Sequence, residues 1–98
     1  MAKALVTGAT SGIGLEFAHQ LAQQGYDLIL VSRNLERLNE TSQDLTNKYK
    51  VKAEVLKADL GTDEGIKLTR ELINKEEIEF IVNNAGLGIN KPFHAADL

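Results

Sequence analysis

Short runs of apolar, often β-branched residues alternate along the chain with longer segments whose apolar positions recur every three or four residues. The first run is Lys3 to Thr7. It passes through a glycine-rich turn into a segment where Ile13, Phe17, Leu21 and Ala22 share one helical face. Gly25 is placed to end that helix in a left-handed turn. Leu28 to Val31 is continuously apolar, which predicts a strand covered on both faces. Asn34 is a candidate N-cap for a second helix carrying Leu35, Leu38, Leu45 and Tyr49 on one stripe. Val51 to Lys57 alternates apolar and charged residues, as a strand near a sheet edge does. Thr62 is placed to cap a third helix with Ile66, Leu72 and Ile73 inward, and Ile78 to Val82 predicts a fourth strand.

Helices alternating with apolar strands predict parallel strands joined by right-handed crossovers, with helices on both faces. The expected architecture is a three-layer, doubly wound α/β sheet of about four strands and three helices, one domain over residues 1–98. No repeat, linker or low-complexity tract interrupts it. Beyond Val82 the pattern loosens. Pro92 is tolerated in a first helical turn, so a further helix is expected there, cut short at Leu98. A sheet ending on Ile78 to Val82 would leave an unpaired apolar edge. That edge suggests self-association, and it makes the chain read as part of something longer.

Composition narrows the function classes. A chain of 98 residues buries about 60–65% of its unfolded surface, enough to fold with little margin. Its net charge of −3 leaves no surplus of cations for nucleic acid or an anionic membrane. Lys48, Lys50 and Lys52 form a basic cluster, but no aromatic residues suited to stacking on bases are interleaved with them. Cysteine is absent, which excludes disulfides, thiolate metal sites and cysteine nucleophiles and fits the cytoplasm. No apolar run approaches the ~20 residues of a membrane span, and Ala4-Leu5-Val6 is too short for a signal-peptide core. His19 has no partner at metal-ligand spacing and is expected to be a solvated helix residue; His94 lies in the irregular tail. No metal site is expected. Asp63-Glu64 and Glu76-Glu77 read as solvated surface.

The richest local signal is Thr7-Gly8-Ala9-Thr10-Ser11-Gly12-Ile13-Gly14, between a strand and a helix. In a dinucleotide site Gly8 permits the tight turn, Gly12 lets the backbone approach a pyrophosphate, and Gly14 lets the helix pack closely on the sheet. The helix start, around Ile13, supplies free N–H donors and about half a positive charge, and Thr10 and Ser11 add hydroxyls. No Lys-Ser or Lys-Thr pair follows, so this is not a P-loop. At the end of the second strand, where an NAD site carries Asp or Glu, stand Ser32, Arg33 and Asn34. Asp27 precedes the predicted strand and Glu36 lies within the next helix. A guanidinium there pairs with a 2′-phosphate through two charge-assisted bonds. Arg33 is therefore the expected NADP(H) determinant, with Ser32 a second donor and Arg37 adding attraction. The cofactor reading is NADP(H) in preference to NAD(H).

With these residues in view, the chain resembles the short-chain dehydrogenase/reductase family of the single-domain type. Thr7 to Gly14 match its Thr-Gly-x-x-x-Gly-x-Gly turn, and Ser32-Arg33 its NADP-preferring strand end. Asp59-Leu60 match the pair after the third strand that contacts the adenine, and Asn83-Asn84-Ala85-Gly86 the Asn-Asn-Ala-Gly signature after the fourth. The resemblance implies a Rossmann fold and hydride exchange between NADPH and a small carbonyl or alcohol substrate. It also implies that Asn83 to Gly86 brace the central strands and line the cofactor groove. The family's catalytic Ser, Tyr and Lys, the last two in a Tyr-x-x-x-Lys motif, lie well downstream of that signature. No catalytic residue is therefore assigned among these 98, and the chain by itself is expected to be inactive. The competing function is a non-catalytic nucleotide-binding or redox-sensing module. An adenosyl-cofactor methyltransferase is disfavoured, because Ser32-Arg33 stand where it needs an acid.

Overall fold

The computed structural model describes residues 2–10, 12–83 and 95–96. The strands β1 (Lys3–Thr7), β2 (Asp27–Ser32), β3 (Ala53–Lys57), β4 (Ile78–Asn83) and β5 (Ala95–Ala96) form one parallel sheet in the order β3-β2-β1-β4-β5. Helices α1 (Gly12–Gln23), α2 (Leu35–Tyr49) and α3 (Asp63–Lys75) connect the first four strands. The doubly wound α/β class is as predicted, and β3 is an edge strand, as its alternation implied.

The pleat divides the core into two layers. On one face Ala4, Val6, Leu28, Leu30 and Val82 pack with Ala18, Leu21 and Ala22 of α1 and Leu38 and Leu45 of α2. On the other, Leu5, Ile29, Val31 and Ile81 meet Ile73 of α3, with Ala58 and Leu60 from the loop before it. β1 and β2 are buried from both sides, which is why their sequences are almost continuously apolar. Both predicted caps form. Asn34 Oδ1 accepts from the Arg37 amide, and Thr62 Oγ1 accepts from the Gly65 amide at 3.0 Å. Gly25, at φ 96°, turns the chain out of α1.

Four expectations need correction. Ile13 and Leu35 are exposed, not inward; each lies in the first turn of its helix. The predicted apolar edge is partly covered, because Ala95–Ala96 pair in parallel with Ile81 and Val82. Pro92 and the helix expected around it lie outside the described residues, but residues 95–96 are extended. His19 is half-buried rather than solvated. Its Nδ1 lies 3.0 Å from the Tyr49 hydroxyl with the rings edge-to-face, joining α1 to the end of α2. Among the described residues no helix is long and apolar enough to cross a membrane.

Glu76 is likewise not free surface. Its half-buried carboxylate accepts a hydrogen bond from Lys3 Nζ, and Glu54 lies 3.5 Å from the same ammonium. The bond holds the Glu76 carboxyl below its ordinary 4.5 and the Lys3 ammonium above its ordinary 10.5. The stability contributed through Glu76 is therefore present above about pH 4.5 and lost as pH falls through the lowered value. That contributed through Lys3 is present below about pH 10.5 and lost as pH rises through the raised value. Thermal unfolding of Glu76→Gln should show a lower midpoint than wild type near neutral pH, with the two converging in acid; a constant gap would mean the pair contributes nothing.

Candidate functional site

The site is assembled at the carboxyl ends of β1, β2 and β3, where ligands of doubly wound sheets bind. After Thr7 the chain turns through Gly8 and Gly12, both in the left-handed region at φ 63° and 57°. The Gly8 and Ala9 amides both donate to the Val31 carbonyl, at 2.9 and 3.4 Å, which pins the turn to β2. The Thr10 and Ser32 hydroxyls are 3.3 Å apart, and the buried Thr7 hydroxyl donates to the Val82 carbonyl at 3.3 Å. The turn is thus fastened to both neighbouring strands. A Cβ added at Gly12 would meet no atom within 4 Å among the described residues beyond its chain neighbours and its own helix backbone. Glycine is required there by its φ, and no described side chain fills the space over it. The first turn of α1 carries no carboxylate of its own to compete with an anion for its amides.

A cleft of about 1020 Å³ opens beside this turn. Gly8, Thr10, Ser32, Arg33, Arg37, Asp59 and Leu60, all predicted from sequence, line it together. Ser32 is half-buried, and its hydroxyl also receives the Asn34 amide at 3.5 Å. Arg33 and Arg37 are exposed. Asp59 Oδ1 accepts from the Gly61 amide at 2.8 Å, while Leu60 is buried beneath the cleft. Gly12, Ile13 and Gly14 open α1 and are not in the cleft lining, and Gly14 is buried at the sheet. Asn83 ends β4 in register with Thr7, level with the glycine turn. Ser11, Asn84, Ala85 and Gly86 lie outside the described residues.

Three contributors escaped the sequence reading. Lys57 lines the cleft from the end of β3, in register with Ser32. Its position at the carboxyl end of β3, beside the Ser32 end of β2, was the available signal. Glu36, set aside as part of a helix, also lines the cleft from the first turn of α2. Gly65 packs so tightly that a Cβ would lie 1.9 Å from the Asp59 carbonyl oxygen. A glycine inside a helix, where alanine is the better former, was the clue. The lining carries Arg33, Arg37 and Lys57 against Glu36 and Asp59. None of the three cations forms an ion pair among the described residues. The arrangement can take an anion at each end, over the helix amides and beside the guanidinium of Arg33.

Sheet order, crossover pattern and a cleft at the strand ends beside the glycine turn define the class: a doubly wound α/β protein of the Rossmann type. Within it, the chain belongs to the short-chain dehydrogenase family of oxidoreductases, whose family model matches residues 2–98. It is 45% identical over 93 residues to a very-long-chain 3-oxoacyl-CoA reductase of Eremothecium gossypii, aligning 93% of this chain with 26% of that protein. It is 39% identical over 85 residues to the human inactive hydroxysteroid dehydrogenase-like protein 1, aligning 86% of this chain with 26% of that one. Its structure superposes on L-sorbose reductase of Gluconobacter frateurii, solved with NADPH and L-sorbose, with a TM-score of 0.80 and 35% identity. That match covers 92% of this chain and 35% of the reductase. The chain therefore spans about a quarter of the length of these curated relatives.

Proposed function

We propose that these residues are the NADP(H)-binding part of a reductase that exchanges hydride between the nicotinamide and a small carbonyl or alcohol substrate. The observation that carries the reading is the single cleft joining the glycine turn to Ser32 and Arg33. Gly12, with no described side chain over it, and a first turn of α1 that bears no carboxylate suit a pyrophosphate. Arg33 replaces the acid that would hold a ribose hydroxyl and offers a planar fork to a 2′-phosphate. Ser32 and Thr10 steady that end through their shared hydroxyl contact. Bound NADPH supplies the hydride. What these residues do is bind and orient; none among them is assigned to proton transfer. The L-sorbose reductase neighbour, which binds NADPH, supports the cofactor class. Calorimetric titration of the chain with NADPH and NADH tests it: tighter binding of NADPH is expected, and equal or reversed affinity refutes the preference.

A second reading, a nucleotide-binding module without catalysis, is favoured by the kinship to a human protein named as inactive. Reading the coding sequence past Leu98 separates the two. A continuing frame with Ser and Tyr-x-x-x-Lys supports the reductase, whereas a stop codon supports the module.

A further inference from the structure

We infer that Lys57 is a specificity-determining residue that reads the adenosine 2′-phosphate together with Arg33; this deepens, and rests on, the NADP(H) reading above. The parallel register sets Lys57 directly opposite Ser32. Register partners in a parallel pair share a face, so the lysine leaves the sheet on the side where Ser32 meets Thr10. Lys57 is exposed and lines both the main cleft and an adjoining hollow of about 460 Å³, and Arg33 lines the same two spaces. Asp59 and Glu64 also line that hollow, yet neither forms an ion pair with Lys57. Lys57 is therefore a cleft-lining cation with no carboxylate paired to it among the described residues.

Such placement suits a doubly charged phosphate better than a neutral ribose hydroxyl. Arg33 supplies directional, bidentate bonding from the β2 end, while a lysine on a flexible stem supplies a mobile point charge from the β3 end. Glu36, on the same lining, opposes both and sets a ceiling on the discrimination. The predicted effect of Lys57 thus falls on ligands bearing the 2′-phosphate and spares those lacking it.

Calorimetric titration of the chain with adenosine 2′,5′-bisphosphate and with 5′-AMP reads this without any turnover. Lys57→Gln should weaken the bisphosphate by about 5- to 20-fold, as expected for one exposed charge near a dianion. It should leave 5′-AMP within about twofold and the unfolding midpoint unchanged, and Lys57→Arg should restore most of the loss. Glu36→Gln should shift the bisphosphate in the opposite direction. If Lys57→Gln changes neither ligand, or both equally, while Arg33→Gln still costs bisphosphate affinity, the inference about Lys57 is wrong and the NADP(H) reading stands. If the wild-type chain does not distinguish the two ligands, both fall.

Discussion

Replacing Arg33 with alanine should lower NADPH affinity by about 10- to 150-fold, from the roughly 1.5–3 kcal/mol that a hydrogen bond to a charged group contributes. NADH, lacking the phosphate, should bind within about threefold of wild type, since Arg33 then faces only hydroxyls. The selectivity follows from position. Arg33 lies one residue past the end of β2, exposed on the cleft, and forms no ion pair among the described residues that would have to be broken first. Calorimetry on wild type and variant with both cofactors reads the ratio. If NADPH and NADH weaken together, the guanidinium supports the loop rather than the phosphate.

Gly65→Ala carries the largest expected effect on stability, and its sign is the informative part. In an exposed helix the change from glycine to alanine stabilises by about 1 kcal/mol. Here the new Cβ would lie 1.9 Å from the Asp59 carbonyl oxygen and 2.5 Å from its carbon, so backbone must move. That oxygen accepts both the Thr62 amide at 3.0 Å and the Thr62 hydroxyl at 2.8 Å, and Thr62 caps α3. Displacing it disturbs the cap as well as the packing, for a net loss of about 3 kcal/mol and a fall in Tm of roughly 12–24 °C. Thermal unfolding followed by circular dichroism measures it. A Tm equal to or above wild type would show that α3 does not rest on Asp59 as described. Because Asp59 also lines the cleft, the surviving folded variant should bind adenine nucleotides less tightly.

The contrast between Arg33 and Gly65 explains how far the residues could be read unaided. Strand-end chemistry was legible because the elements before and after it announce themselves: β2 is apolar throughout, and Asn34 caps the helix that follows. Gly8, Thr10, Ser32, Arg33, Arg37, Asp59 and Leu60 could be gathered from separate turns because a doubly wound sheet brings its carboxyl ends together. What escaped was set by tertiary approach. Gly65 is glycine because of a carbonyl in the preceding loop, and no local pattern encodes that distance. His19 finds Tyr49 thirty residues away across two helices, and Glu76 finds Lys3 across the sheet. Ile13 and Leu35 fit their helical stripes yet are exposed, because periodicity gives direction around an axis but not whether another element packs opposite a given turn.

The position of β1 has a consequence for how the molecule is made. It is the first of the described strands, yet it lies between β2 and β4, and the Thr7 hydroxyl reaches Val82 across a sequence separation of 75. During synthesis it can dock on β2 early, but its other flank stays bare until nearly the whole described chain has been translated. Closing such distant parallel pairs is slow, because the entropy of the long loop is lost before the contact forms. The bare flank, Ala4-Leu5-Val6, then leaves the nascent chain open to capture by a chaperone or by a neighbour.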